Sequence, residues 1–416
     1  MIALRRPEWA LIAFLWVCYV LNHADRQVVY TLFPALQKEF GLSNALLGLT
    51  GALFLWTYGL CSPFAGILGD RWSKTKVVTI SLIVWSCFTI LTGFVTNGTL
   101  LLTCRTLLGI SESLFMPAAF ALMANAHGPS TRSKAIAIFA TSQMVGVAVG
   151  GSLSGWLTEL FHWRVAFWAL GATGVLFAWP LWRFLSNMPP SFTSKNGELP
   201  AAPFKSFFQL FRIPSLRIVG IFVGIATFGL YLVYTWLPTF LYDKFSLGLA
   251  HAGFEASVYP QIGTAAGLLA GGSLADFGYS RTPAARFWVI LAAFFTAGPA
   301  IYLLGHAASL ESARLAASAF GFFSGFISGN QAAACFDVVP ATQRASAIGV
   351  LNLVGAGVSG FAPFLGGLAR STIGVDRVMV FTGGLYAIAG LVVLYGIRQH
   401  FHQDHRLSLE PAAQQR

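Results

Sequence analysis

The sequence predicts an all-α integral membrane protein, with twelve transmembrane helices in two pseudo-symmetric bundles of six. Three observations predict it. Of the 416 residues, 56% are hydrophobic and 10% are charged, whereas a soluble domain carries about 25% charged residues. Apolar stretches recur along the whole chain, each long enough for the roughly 20 residues that cross a bilayer core. A short glycine-aspartate pattern at the end of the second stretch returns at the end of the eighth.

The expected spans are 8–36, 43–69, 76–96, 99–126, 132–158, 163–186, 215–243, 251–276, 284–305, 310–337, 343–369 and 377–398. The opening MIALRRPEW and the apolar run after it have the outline of a secretion signal. No small-residue cleavage site follows, so the run reads as a first span that is retained. In span five, Gly146, Gly150, Gly151 and Gly155 read as a close helix contact that permits rocking, although packing alone needs the same residues. The polar stretch 187–214 contains Pro189, Pro190, Pro200 and Pro203 and separates six spans from six. Within it Phe204, Phe207, Phe208 and Phe211 recur at helical spacing, which predicts an amphipathic helix on the membrane surface. A linker collapsed on the protein is the plainer alternative. The domain plan is therefore 1–186, a linker 187–214, 215–398, and a tail 399–416.

The net charge of +11 does not point to nucleic acid. Lys and Arg sort about three to one onto the side that holds both termini, which places the termini in the cytoplasm by the positive-inside rule. Cys18, Cys61, Cys87, Cys104 and Cys335 all fall in apolar stretches, odd in number and widely spaced. They read as small core residues, not as disulfides or metal ligands. The tail QHFHQDHR clusters histidines without the spacing of a metal site.

Four charges interrupt the apolar pattern: Asp25 and Arg26 in span one, Arg105 and Glu112 in span four. A charge at a helix centre costs roughly 2.5–3.5 kcal/mol even on the gentlest scale, so such residues usually mark function. At 1.5 Å per residue, Asp25 lies about 21 Å from one face and Arg105 about 9 Å from the other, which is matching depth. Arg105, Gly109 and Glu112 share one helix face, and Gly109 is expected to leave open space between the two charges. The four charges then form a neutral cluster facing a cavity between the halves. A pair of salt bridges that merely ties span one to span four is the structural alternative, although buried bridges stabilise weakly. Functionally, Arg26 and Arg105 can bind a carboxylate or phosphate. Asp25 and Glu112 can take up protons, because burial favours the neutral form of a carboxylate. Protonation frees an arginine for the anion, which couples H⁺ to substrate.

Weaker candidates surround these. Tyr58 and Gln143 lie mid-span and can meet substrate hydroxyls or bond between helices. Tyr231, Tyr234 and Trp236 in span seven, with Asn330, Gln331 and Asn352 in spans ten and eleven, are the second half's candidates; the aromatics also suit an interfacial belt. His23 is a candidate proton relay beside Asp25. The repeated pattern gives Gly66, Asp70 and Arg71 in GILGDRWSKTK and Gly272, Asp276 and Arg281 in GGSLADFGYSR. An aspartate at a helix end can hold neighbouring helices in one state and release them in another.

These residues resemble the major facilitator superfamily along the entire chain. GILGDRWSKTK is similar to its loop motif, with Ser73 where a glycine is usual. Asp25-Arg26, Arg105-Gly109-Glu112, Trp163-Arg164-Phe167 and WLPTFL (236–241) resemble the anion:cation symporters that carry sugar acids and other organic anions. LNHADRQVV (21–29) resembles the first span of Spinster-like lipid carriers somewhat better. The resemblance implies H⁺-coupled symport of a small organic anion, with Na⁺ as the family's other coupling ion and no cofactor. It also implies a monomer in the inner membrane, with the lipid bilayer as surroundings. A lysophospholipid carrier is the alternative. An intramembrane enzyme is a distant one: Gly109-Ile110-Ser111 brushes a Gly-x-Ser pattern, but no Walker loop, HExxH or nucleophile elbow occurs.

Overall fold

The computed structural model describes residues 7–189, 210, 212–340 and 343–409; the side chains of 66–71, 129, 130, 133 and 345 lie outside the description. The Phe-rich helix expected over 204–211 therefore falls almost wholly outside the described residues. Every described element is a helix. In the first half these are α1 (Pro7–Thr31), α2 (Phe33–Phe40), α3 (Asn44–Arg71), α4 (Lys74–Thr92), α5 (Gly98–Ser113), α6 (Phe115–Ala126), α7 (Pro129–Leu160) and α8 (Trp163–Ser186). In the second they are α9 (Pro214–Phe245), α10 (Leu249–Tyr279), α11 (Ala285–Gly305), α12 (Leu310–Phe336), α13 (Arg344–Ser359), α14 (Phe361–Arg370) and α15 (Val375–Gly396). A π-helical turn, Ile397–Phe401, leads into α16 (His402–Leu409).

These segments fill the twelve expected spans, with three breaks that the apolar pattern does not reveal. Spans one, four and eleven each divide, after Thr31, Ser113 and Ser359. Each break sits three or four residues ahead of a proline: Pro34, Pro117 and Pro363. Proline has no N–H for the carbonyl four residues back, and its ring crowds that carbonyl. The termini are finished locally. Asn97 accepts a bond from the Leu100 amide to cap α5, Ser309 and Ser312 form a capping box on α12, and Gly41 ends α2 in the left-handed region at φ 61°.

The chain divides into two compact units, 1–199 with 241–258, and 200–240 with 259–416. In the first unit α1 lies against α7. A Cβ on Gly146 would meet the Val20 carbonyl at 2.6 Å and His23, and one on Gly150 would meet the Ala24 backbone at 2.6 Å. The next glycines on α7 receive the start of α10, which accounts for the grouping of 241–258 with this unit. Gly151 faces Ser257, and Gly155 faces the Leu249 carbonyl group. Glu159 Oε1 accepts from the Ala250 amide at 3.0 Å. Small residues let backbones approach where lipid provides no hydrophobic drive between helices. Arg164 ties the motif before α8 to its neighbours: it bonds Glu39 at 2.8 Å and the Val95 carbonyl at 3.1 Å, and lies over the Trp163 ring. The guanidinium holds the Glu39 carboxyl below its ordinary value.

The second unit repeats the device. Gly263 and Gly271 on α10 meet Ser318 and Phe326 on α12, while Gly321 and Gly325 return the contact to Pro260 and Thr264. Gly298 on α11 meets Gly383 on α15. Of the tail expected over 399–416, the described residues 399–409 pack on this unit. Phe401 is fully buried against Phe287. Asp404 Oδ2 accepts from the Ser215 amide at 2.8 Å at the start of α9, and His405 Nδ1 lies 2.7 Å from the Asp337 carbonyl.

Glycine contacts against backbone cannot be relieved by a rotamer change. Gly150→Leu is expected to lower stability by about 1–3 kcal/mol or to abolish folding. Gly220→Ala, at a glycine with open space around it, is expected to leave stability within about 1 kcal/mol of the parent. Thermal unfolding in detergent compares the two, and equal losses would mean that these contacts do not govern packing.

Candidate functional site

The first unit brings the four intramembrane charges together. Asp25, Arg26, Arg105 and Glu112 are 2%, 7%, 2% and 0% exposed. Arg26 Nε donates to Glu112 Oε2 at 2.7 Å in a buried salt bridge. Arg105 Nη1 donates to the Asp25 backbone carbonyl at 3.3 Å, in keeping with the matching depths read from the sequence. The arrangement is thus one side-chain ion pair and one side-chain-to-backbone contact, not two salt bridges. Asp25 and Arg26 are adjacent on a helix, so their side chains leave α1 about 100° apart and cannot both face α5. Asp25 is turned toward Thr89 of α4.

Gly109 acts differently from the sequence expectation. A Cβ there would strike Thr57 and would lie 2.6 Å from the Phe54 carbonyl. The space beside Gly109 is filled by the backbone of α3. This close approach places two rings under the arginines. The Arg26 guanidinium lies 4.6 Å from the Tyr58 ring and 4.9 Å from the Phe54 ring, and the Arg105 guanidinium lies 5.0 Å from Phe54. Desolvated cation–π contacts of this kind contribute about 2 kcal/mol. Phe54, fully buried, is absent from the sequence candidates. Its signal was available: it lies one turn before Tyr58, on the same helix face.

Several donors and acceptors here are unused. Among the described residues, Nε and Nη2 of Arg105 and Oδ1 of Asp25 have no hydrogen-bond partner, and the Asn22 side chain lies against the Glu112 carboxylate. Native interiors satisfy the great majority of such groups, so a cluster of unsatisfied ones marks a place where a ligand or a proton belongs. Arg105 offers two adjacent N–H groups, the fork that a carboxylate accepts.

The remaining candidates are placed as follows. His23 is 4% exposed, with Nδ1 3.3 Å from the Tyr19 carbonyl, and it faces Gly146. Gln143 is half-buried on α7, one turn before Gly146. In the second unit, Tyr231 packs edge-on to Tyr234. Trp236 is fully buried and donates to the Pro363 carbonyl at 2.9 Å, so it fastens α9 to α14. Asn330 is 2% exposed and donates to the Phe326 carbonyl within its own helix; Asn352 is exposed. The side chains of Gly66, Asp70 and Arg71 lie outside the described residues. Their counterpart Gly272 has open space around it, and Asp276 lies 3.4 Å from Arg286, which also grips both oxygens of Asp337 at 2.8 and 2.9 Å. Arg286 and Asp337 were not among the sequence candidates, because charges at span ends carry no hydropathy signal.

Two apolar helical bundles with an enclosed cluster of arginines and carboxylates are the arrangement of a membrane transporter. Residues 15–363 match the Major Facilitator Superfamily, and the chain belongs to that family. A probable galactarate/D-glucarate transporter, GarP of Escherichia coli (strain K12), is 28% identical over 68% of this chain and 71% of its own length. A hexuronate transporter of Bacillus subtilis (strain 168) is 24% identical over 94% and 95%. Among solved structures, a bacterial homologue of the human lysosomal transporter Spinster, inward-facing and occupied, superposes with a TM-score of 0.79. It covers 95% of this chain and 97% of its own, at 21% identity, and so supports the fold.

Removing one partner of the buried ion pair strands the other in a medium that cannot solvate it. Glu112→Leu is expected to cost about 3–5 kcal/mol, and Arg26→Met added to the same chain should recover most of that loss. Unfolding of the single and double variants in detergent checks this. A double variant no more stable than Glu112→Leu alone would show that the two charges are not coupled.

Proposed function

We propose that the protein is a secondary active transporter that moves a small organic anion, a sugar acid or another carboxylate, together with protons by alternating access. The observation that carries the reading is the enclosed Arg105 guanidinium with two unused donors, beside an arginine held by a carboxylate. Protonation of Glu112 cancels its attraction for Arg26. Arg26 and Arg105, both resting on Phe54, then present a doubly positive platform to one anion. Asp25, with an unpartnered oxygen, is a second proton site. Inward movement of an anion against a negative interior costs about 2.3 kcal/mol per charge per 100 mV, which cotransported protons offset.

The sugar-acid and hexuronate carriers among the relatives support this substrate class. The bias of Lys and Arg supports cytoplasmic termini, and the bacterial relatives support an inner-membrane location. A single chain carries the full cluster, which fits a monomer. Asp70 and Arg71 with Gly66, and Asp276 with Gly272, are assigned to gating. Tyr58 and Gln143 in the first half and Tyr231, Trp236, Asn330 and Asn352 in the second are the proposed substrate neighbours; the enclosed position of Trp236 gives it a supporting role. A lysophospholipid carrier is the second reading, favoured by LNHADRQVV in the first span.

The test is uptake into proteoliposomes under an imposed inward proton gradient, with sugar acids, dicarboxylates and a lysophospholipid as probes. The expected result is gradient-driven accumulation of one small anion. Glu112→Gln should lose accumulation but keep substrate exchange, and Arg105→Ala should lose both. Movement of the lysophospholipid alone would transfer the two arginines to headgroup binding. Accumulation by Glu112→Gln at the parent rate would rule that residue out as the coupling acid.

A further inference from the structure

Gly248 stands immediately before α10, and its carbonyl accepts from the Ala252 amide at 2.9 Å. The first amides of a helix have no acceptor within it, and a glycine at this position has no side chain to supply one. The acceptor comes from another helix. Glu159, exposed near the end of α7, accepts from the Ala250 amide through Oε1 at 3.0 Å. A Cβ on Gly248 would collide with that same oxygen, so glycine is what leaves room for the carboxylate. Its negative charge also meets the positive end of the α10 backbone dipole. Behind this cap the helices touch with almost nothing between their backbones. Gly155 meets Leu249 and Ala250, Gly151 meets Ser257, and Gly253 meets the Gly151 carbonyl and Thr31 of α1. Ser257 is fully buried in this contact.

We propose that Glu159 is a conformational latch: it holds the start of α10 to α7 in the state described by this structure, and it lets go when the two part. The proposal rests on the alternating-access reading above, in which the start of α10 must leave α7 in one of the two states. The glycine contacts supply shape, and in lipid they gain no hydrophobic drive. The bond from the Ala250 amide to Glu159 is directional and is lost as soon as the helices separate. A contact made in one state and not in the other shifts the balance between them by its own free energy. Removing a capping acceptor changes such a balance by a factor of about five. Glu159 is exposed at the end of α7, whereas the four intramembrane charges are buried. It can therefore set how long each state lasts without touching the anion or the proton.

The experiment measures how often this contact opens. Ser257 is buried against Gly151, so in a Ser257→Cys background N-ethylmaleimide reaches the new thiol when α10 leaves α7. The full-length protein is alkylated in detergent over time. Peptide mass spectrometry separates residue 257 from the native Cys335, which is also fully buried. When opening is fast relative to alkylation, the rate reports the open population. Glu159→Ala is expected to raise the rate at 257 about fivefold and to leave Cys335 at the parent rate. Glu159→Gln keeps an acceptor oxygen and should fall between the two. An equal or slower rate at 257 in Glu159→Ala overturns the latch. A matching rise at Cys335 also overturns it, because the variant would then be loosened throughout. A thiol at 257 that reacts only after unfolding, in parent and variants alike, would instead overturn the alternating-access reading.

Discussion

The Arg26–Glu112 salt bridge is the constraint on which the rest of the first unit depends. It joins α1 to α5 inside a membrane, where neither charge has water to fall back on. Its geometry fixes the rotation of both helices. With Arg26 turned to Glu112, Asp25 must turn toward α4, and Arg105 is left to the Asp25 carbonyl. Gly109 then admits α3 so closely that Phe54 and Tyr58 lie against the guanidiniums. One ionic contact, one missing side chain and two rings account for the site's shape.

On the proposed mechanism, the same contact links stability to transport. A bridge that cannot open would be a clamp, and a cluster with no bridge would be too costly to bury. The neighbourhood holds what opening requires: a carboxylate that can take a proton and an arginine with unused donors. The glycine seams serve the complementary need. Helices packed backbone to backbone, as α7 is on α1 and α12 on α10, can slide as rigid pairs without repacking large side chains, which suits a protein that must exchange conformations.

Much of this was legible in the sequence. Hydropathy and charge patterning located the spans, because a bilayer imposes length and polarity on every helix that crosses it. The four charges stood out because no other Asp, Glu, Lys or Arg lies in the interior of their spans, and helical rise alone placed Asp25 level with Arg105. Pairing was not legible, since it depends on which way each helix is rotated. That is why Gly109 read as open space, and why the sequence could not tell how the four charges pair. Asn22 escaped notice for a related reason: an asparagine among apolar residues gains meaning only from what lies opposite. The helix breaks before Pro34, Pro117 and Pro363 could have been read, yet prolines inside α3, α8, α9, α10 and α11 are accommodated without a break. The docking of α16 through Asp404 and His405 depends on partners more than sixty residues away and left no local trace.

The central claim is that the anion and the proton share one switch, the Arg26–Glu112 bridge. Its most direct test is a pH-indicator measurement on purified protein in weakly buffered detergent, made as the anion selected by uptake assays is added. The account predicts net proton uptake on anion binding in the parent and none in Glu112→Gln, with binding itself preserved. Anion binding by the parent without proton uptake across the pH range of transport would contradict it, and the bridge would then be a structural tie.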